Sequence, residues 1–212
     1  QYLSAAFDVP RVKFLGTRGL PLFKIPSGES TNLPHREAMA AQKTPVLLST
    51  GMSTLDEITD ALGVLDAGGC PEVTILHCNT QYPTPYEDVN LRMIPTLSQT
   101  FGCLTGLSDH TMGGAVAAGA VSLGARMVEK HLTLKRSDGG PDGAFSMEPR
   151  EFKELVSQIR ILQKALGSSE YRLTPKQEKE RAVSRSIFVA QDMAEGEVFT
   201  EQNIRCIRPG IG

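Results

Sequence analysis

Short apolar runs, several of them rich in β-branched residues, alternate along the chain with segments of helical pattern. Apolar runs of this length, bounded by turn residues, are typical of strands that are buried on both faces. They recur about every 20 to 30 residues, which is the spacing of consecutive β/α units. The pattern predicts six strands, at residues 2–6, 22–25, 45–49, 73–78, 104–107 and 127–132.

Helix-start signals stand between these runs. A Ser-Thr pair occurs at 30–31, another at 53–54, and a Glu-Pro pair at 148–149 precedes a long amphipathic segment that ends at Gly167. Serine and threonine are favoured N-caps, proline is favoured in the first helical turn, and glycine is favoured after the last. Residues 112–125 predict one further, shorter helix.

This alternation of strands and helices indicates a parallel sheet covered by helices. Both an open doubly wound sheet and a closed barrel show this alternation of strands and helices. The chain shows no signal for a reversal of strand order, and a whole (β/α)8 barrel usually takes about 250 residues. We therefore favour an α/β fold of the TIM-barrel type, lacking its first two strands in this chain.

The pattern changes after Gly167. Residues 169–184 are polar and predict a linker, 185–191 predict a strand, 194–197 a turn, and 198–207 a further short β or turn segment. We expect a partial barrel domain at 1–168, the linker, and the start of a small β-rich domain at 185–212. The chain begins at Gln1 rather than Met and ends on a turn signal, so we expect a fragment.

Composition narrows the class of function. The 24 acidic and 22 basic side chains nearly balance, so neither a nucleic acid nor an anionic membrane surface is an implied partner. No apolar stretch approaches the ~18 residues of a membrane span. The four cysteines, at 70, 78, 103 and 206, form no C-x-x-C pair, which favours reduced thiols and a cytoplasmic location.

Polar residues follow five successive predicted strands, where the active sites of (β/α) barrels form. Two of these strands end in histidine, at His110 and His131, and neighbouring parallel strands would bring the two imidazoles close enough to share a cation. Side-chain alternation pairs Glu129 with His131 on one face and leaves Lys130 on the other. His35 and His77 lie inside predicted elements, where we expect structural roles. The strand-end residues are Lys24, Ser27, Glu29, Ser49, Thr80, Tyr82, Ser108, His110, Glu129 and His131.

Six groups of residues stand out in order along the chain: FKIPSGE (23–29), LSTGM (48–52), HC (77–78) with YPTPYEDV (82–89), GLSDHT (106–111), EKH (129–131) and GPD (140–142). In sequence and spacing they resemble the sialic acid synthase family, and the similarity runs through essentially the whole chain. That family condenses phosphoenolpyruvate with an N-acetylated hexosamine aldehyde, such as N-acetylmannosamine, on a TIM barrel. The residues from 185 onward resemble the start of its antifreeze-like (SAF) domain.

The resemblance implies a role for each residue of the rim. Lys24, Ser27, Ser49, Thr80 and Ser108 would bind phosphoenolpyruvate. His110 and His131 would hold a divalent metal, usually Mn²⁺ and otherwise Mg²⁺, and would be catalytic together with Glu29 and Glu129. The residues that would contact the sugar are Glu29, Tyr82, Asp142 and Arg208.

In the family the arginine matching Arg208 reaches the partner subunit's barrel, which implies a domain-swapped homodimer. The amino sugar stays open, because residues 137–146 are similar to the pseudaminic acid branch and residues 25–34 to the sialic and legionaminic branches. The sequence also leaves open which glutamate is the general acid or base. Two other functions remain: a Schiff-base aldolase using Lys24 or Lys130, and a non-catalytic carbohydrate-binding barrel.

Overall fold

The computed structural model describes residues 2–208 of the chain, which divides between Gly167 and Ser168 into two compact units. The first unit has an α/β fold with a five-stranded, all-parallel sheet in the order β1-β2-β3-β4-β5. Its strands are β1 Phe23–Ile25, β2 Val46–Ser49, β3 Val73–Cys78, β4 Leu104–Asp109 and β5 Val128–Lys130. Its helices are α1 Val9–Gly16, α2 Leu33–Ala40, α3 Leu55–Ala67, α4 Met93–Phe101, α5 Ala115–Ser122 and α6 Pro149–Leu166.

The sheet is curled into a half-barrel, as a contact between its two outer strands shows. Neighbouring strands lie about 4.8 Å apart, so a flat sheet would separate the first strand from the fifth by about 19 Å. Yet Nζ of Lys24 on β1 lies 2.6 Å from Oε2 of Glu129 on β5. Both side chains therefore lie on the concave face. This arrangement confirms the predicted parallel α/β architecture.

Alternation along each strand sorts the side chains between two faces. Phe23, Ile25, Val46 and Leu48 are buried on the convex face, where they form a core with residues of α1, α2 and α3. Register places Lys24 beside Leu47, Ser49 beside Leu76, and Cys78 beside Ser108, in turn beside Glu129. The concave face is consequently the polar one. It carries Lys24, Ser49, Cys78, Ser108 and Glu129 toward the carboxyl ends of the strands.

Local sequence explains where the helices begin. Thr54 and Glu57 form a capping box on α3, and Glu148 and Glu151 form another on α6, as the start signals predict. The helix start predicted at Ser30 and Thr31 lies too early in the chain. Asn32 is the residue that caps α2, because its side chain accepts from the His35 amide.

Four predicted segments differ from the structure. The strand predicted at 104–107 continues as β4 to Asp109. Residues 2–6 form a single bridge, between Ala5 and Lys24, instead of a strand. The helix predicted at 112–125 is shortened to α5, because Gly113 and Gly124 adopt positive φ angles of 70° and 101° at its two ends. The last strand ends at Lys130 rather than Leu132, because Leu132 leaves the sheet to bridge Met147.

The second unit contains α7 (Pro175–Glu180) and an antiparallel pair of strands, β6 (Ser186–Val189) and β7 (Ile204–Ile207). The two strands fall within the segments 185–191 and 198–207, where β structure is predicted. Residues 209–212 lie outside the described part of the chain. Within residues 2–208, none of the helices combines the length and apolar character of a membrane span.

Gly106 is needed on β4 for close packing. A Cβ at this position would lie 2.6 Å from the carbonyl oxygen of Met127 and 2.7 Å from Cδ2 of Leu76. Gly106→Ala is therefore expected to lower the free energy of unfolding by about 1–3 kcal/mol through overpacking. Gly63→Ala is the matched control, because the new methyl meets nothing within 4 Å on α3 and should stabilise by about 0.5–1 kcal/mol. Urea unfolding of both variants measures the contrast, and equal effects would show that Gly106 is not sterically required.

Candidate active site

Lys24, Ser108 and Glu129 form one hydrogen-bonded network on the concave face. The Lys24 ammonium donates to both carboxylate oxygens of Glu129, at 2.7 and 2.6 Å, and the Ser108 hydroxyl donates to Oε1 at 2.7 Å. The Lys24 contacts join β1 to β5, so they exist only because the sheet is curled. The network places a cation, a hydroxyl and a carboxylate within reach of a single small ligand.

This network sets the protonation state of Glu129. Burial by itself would raise the pKa of Glu129, but the Lys24 charge, the Lys24 hydrogen bonds and the Ser108 hydroxyl together hold that pKa below its usual range. Glu129 is therefore a carboxylate at neutral pH. Both lysines proposed for a Schiff base are ion-paired, Lys24 here and Lys130 with Asp109.

His110 and His131 come together as the strand ends predict. Their rings lie 5.3 Å apart between centroids, at an interplanar angle of 66°. The Nδ1 of His110 is hydrogen-bonded, at 2.6 Å, to the Asn79 carbonyl oxygen, whereas the Nδ1 of His131 lies 3.6 Å from an Asp142 carboxylate oxygen, beyond hydrogen-bond distance. Within residues 2–208 neither Nε2 has a hydrogen-bond partner, so one nitrogen of each ring is left for a ligand.

The imidazole pair fits a metal site with open coordination positions. Histidine ligands commonly bond their second ring nitrogen to a carbonyl or carboxylate, as His110 does. Burial, with the nearby His131, lowers the pKa of His110 despite its bond to Asn79, and the neutral imidazole is the form that binds metal. Residues 2–208 contain no cluster of three or more His, Cys, Asp or Glu side chains suited to a metal. Water or substrate would therefore complete the coordination.

Aromatic rings surround the imidazole pair. Tyr82 lies 4.2 Å from His110 and 5.9 Å from His131, and Phe145 lies 5.2 Å from His131 and 5.6 Å from Tyr82, all between centroids. Burial, with the nearby Cys78, Asp142 and Glu129, raises the pKa of Tyr82, so its phenol keeps its proton at neutral pH. Half of Tyr82 remains exposed, at 51%, so it offers an apolar face and a hydroxyl to a ligand.

The hydroxyl residues of the rim occupy different environments. Ser27 is buried, and its Oγ accepts from the Gly51 amide at 2.9 Å. A side chain added at Gly51 would meet Ser27, Cys78 and Thr80, so these three residues converge on one point. Ser49 is only 2% exposed, and its hydroxyl has no hydrogen-bond partner within the described chain. An unpaired buried hydroxyl costs about 1–3 kcal/mol, which a ligand oxygen would recover.

Two residues proposed to bind sugar have hydrogen-bond partners of their own. Glu29 follows β1 in a single 3-10 turn, and its carboxylate accepts from the Asn32 amide group at 2.7 Å. Arg208 belongs to the second unit, where its Nε donates to the Val183 carbonyl oxygen at 2.8 Å. The structural roles predicted for His35 and His77 are confirmed, because each bonds a backbone carbonyl oxygen, of Ala6 and Val89 respectively.

Sequence reasoning missed two groups of the site. Phe145 packs on His131, yet it lies in a 3-10 turn of three residues, too short for a periodic pattern to mark it. The Asn79 carbonyl oxygen anchors His110, and a backbone group leaves no trace in the residue type. The predicted side-chain alternation is confirmed, because Glu129 is on the concave face while Lys130 contacts Asp109 and Thr111 on the other side.

Comparison with known proteins was made at the level of sequence and of fold. The model of the NeuB family matches residues 1–171. The N,N'-diacetyllegionaminic acid synthase of Campylobacter jejuni subsp. jejuni serotype O:2 is 42% identical over 214 residues, covering all of this chain and 64% of that protein. The pseudaminic acid synthase of Helicobacter pylori is 39% identical over 210 residues, covering 99% of this chain and 62% of that protein. This chain thus spans a little under two thirds of either relative.

A solved structure is also similar to this chain. The N-acetylneuraminic acid (sialic acid) synthetase of Leptospira borgpetersenii serovar Hardjo-bovis, crystallised in complex with citrate, superposes with a TM-score of 0.78 at 33% identity. The match covers 83% of this chain and 61% of that one.

Proposed function

The chain belongs to the NeuB family, and from that premise we propose that the protein is a sialic acid-type synthase. It would condense phosphoenolpyruvate with an N-acetylated mannosamine-type aldehyde and water, giving a nine-carbon 2-keto sugar acid and phosphate. The names of the similar proteins, which are sugar-acid synthases, support this class of reaction.

One observation carries the proposal. Glu129 accepts hydrogen bonds from Lys24 and Ser108 and lies two residues before His131 on the same concave face. An anion site and the imidazole pair therefore adjoin each other. Phosphoenolpyruvate carries a phosphate and a carboxylate, and both need cationic or hydroxyl donors. Lys24, Ser27, Ser49, Thr80 and Ser108 would supply them. The unpaired hydroxyl of Ser49 supports this assignment because it is buried and lacks an acceptor.

His110 and His131 would hold the divalent cation, Mn²⁺ or Mg²⁺, which as a Lewis acid would polarise the aldehyde oxygen of the sugar. Tyr82 and Asp142, beside these imidazoles, would orient the amino sugar together with Glu29. Phe145 backs Tyr82 and would limit the space open to water.

The reaction then follows from the substrates. C3 of phosphoenolpyruvate forms a bond to the aldehyde carbon, whose oxygen takes up a proton. Water adds to the resulting cation at C2 and loses a proton, and the C2–O bond to phosphate breaks as the ketone forms. Because its pKa is held low, Glu129 would accept a proton from the water rather than donate one. The proton that Glu129 accepts from the water balances the one that the aldehyde oxygen takes up, and Glu29 would contact the sugar hydroxyls.

The decisive experiment is a phosphate-release assay on phosphoenolpyruvate across N-acetylmannosamine, its 6-phosphate and the 2,4-diacetamido hexoses. Turnover with one of these sugars, lost after chelation and restored by Mn²⁺, is the expected result. No release with any of them would contradict the proposal and favour a non-catalytic carbohydrate-binding barrel. Borohydride trapping of pyruvate on a lysine, insensitive to chelators, would instead favour the aldolase.

The assembly is also a proposal. The second unit would be the start of an antifreeze-like (SAF) domain, and Arg208 would serve the partner subunit's barrel in a domain-swapped homodimer. Sedimentation equilibrium tests the stoichiometry, and a monomer that turns over at the full rate would contradict the swap.

A further inference from the structure

A buried ion pair lies directly behind the two imidazoles. Nζ of Lys130 is 2.8 Å from Oδ2 of Asp109, and the two side chains are only 2% and 0% exposed. Asp109 precedes His110 and Lys130 precedes His131, and the sheet register pairs Asp109 with Lys130. Because side chains alternate along a strand, the ion pair occupies the convex face while the imidazoles occupy the concave one.

The contacts of this pair reach both neighbours of His110. Oδ1 of Asp109 accepts from the amide and the hydroxyl of Thr111, at 2.9 and 2.7 Å, and Lys130 also donates to the Thr111 carbonyl oxygen at 2.7 Å. The residues before and after His110 are thus bonded to the residue that precedes His131. The ladder between β4 and β5 ends at this level, and beyond it each histidine is bonded to a different segment: the carbonyl oxygen of His110 accepts from the Thr84 amide and that of His131 from the Met147 amide, both at 3.0 Å.

Stability alone does not account for a pair of charges at this position. Removing two charges from water costs much of what their attraction returns, and apolar pairs often replace such ion pairs without loss of stability. An apolar pair would however fix neither the direction of the Thr111 carbonyl nor the distance between the two strand ends. What the ion pair adds is a defined geometry.

We infer that Asp109 and Lys130 are positioning residues that hold the His110 and His131 rings at their mutual distance. Neither touches substrate, and each acts through the histidine that follows it. The reason for this spacing rests on the proposed function, in which the two imidazoles share one cation. The distance between the two rings does not depend on that function, and it can be measured without metal.

The experiment uses protein labelled only in histidine, of which this chain has four. The probe is the nuclear Overhauser effect between ring protons of His110 and His131 in metal-free protein, with Mn²⁺ affinity measured separately. The variants are Asp109→Val with Lys130→Met, which replaces the pair by apolar side chains, and Asp109→Asn alone, which keeps the shape. We expect both to be folded by circular dichroism, to lose at least half of the signal, and to bind Mn²⁺ about 10- to 100-fold more weakly.

Arg36→Met is the matched control. Arg36 is also buried, at 4% exposure, and its guanidinium lies 2.7 Å from Asp60, but it sits on α2 away from the imidazoles. The Arg36→Met variant should have a lower free energy of unfolding and an unchanged nuclear Overhauser effect between His110 and His131. A folded variant of Asp109 with the wild-type signal overturns the inference, and the double variant decides alone where Asp109→Asn, which leaves the Lys130 charge buried without its partner, does not fold. If the signal falls but wild-type protein binds no Mn²⁺, the positioning role stands and the proposed metal site fails.

Discussion

Replacing His131 by alanine is expected to lower the rate of phosphoenolpyruvate-dependent phosphate release by about 1,000-fold and to weaken Mn²⁺ binding strongly. A Lewis acid at the aldehyde oxygen supplies several kcal/mol of transition-state stabilisation, and about 4 kcal/mol corresponds to a factor of about 1,000 in rate. The fold should be little affected, because the His131 side chain is 31% exposed and its contacts are confined to the site. Steady-state kinetics at saturating Mn²⁺, with a titration of Mn²⁺ binding, measures both effects.

His77→Gln is the matched control for this experiment. His77 lies on the convex side of β3, and its Nε2 bonds the Val89 carbonyl oxygen at 2.7 Å, so the variant should lose some stability and keep its turnover number. If His131→Ala turned over at the wild-type rate, or chelated wild-type enzyme stayed fully active, the imidazole pair would have no role in holding a catalytic metal.

The pairing of His110 with His131 could be predicted from the sequence because it follows from local rules. Apolar runs mark the strands, parallel strands end at one edge of the sheet, and side chains alternate with a period of two. These rules separate Glu129 from its neighbour Lys130 with no knowledge of the partner strands. Candidates adjacent along the chain could therefore be assigned to opposite faces.

The contacts between distant strands could not be predicted in the same way. The bond between Lys24 and Glu129 joins the two outer strands, so it depends on how far the sheet curls, and curl is a property of the packed whole. The low pKa of Glu129 depends on that bond in turn. The fold is therefore needed to assign Glu129 as a base rather than an acid. The sequence left this assignment open for that reason.

Element ends were the weakest part of the prediction. An apolar run indicates burial, but pairing also requires a neighbour in register, and residues 2–6 meet β1 at one position only. Glycines within residues 112–125 were compatible with a helix, yet their positive φ angles ended it at both sides. The loop so formed, Asp109 to Gly114, carries the contacts that hold His110.

Replacing Lys24 by methionine is expected to raise the KM for phosphoenolpyruvate by about 10- to 100-fold. A hydrogen bond to a charged group contributes about 1.5–3 kcal/mol, and Lys24 is the cation that faces the proposed anion site. Its side chain is 14% exposed, so solvent cannot take its place. Lys24→Arg keeps the charge but not the shape and should lose less, whereas an unchanged KM in Lys24→Met would place the phosphate elsewhere.

The same variant should change how stability depends on pH, through Glu129. In the wild type the pKa of Glu129 lies below its usual range, so the stability it contributes is complete above the unfolded-state pKa of about 4.3 and is lost as the pH falls through the lower folded-state pKa. Without Lys24 burial dominates, the folded-state pKa rises, and ionising Glu129 then opposes folding. The stability difference between wild type and Lys24→Met should therefore widen from pH 3 to pH 7.

Because the Glu129 side chain is 43% exposed, we expect this widening to be roughly 1 kcal/mol rather than the 3–5 kcal/mol of a fully buried pair. Denaturant unfolding across this range measures it, and a difference independent of pH would show that Glu129 is not the group that Lys24 stabilises.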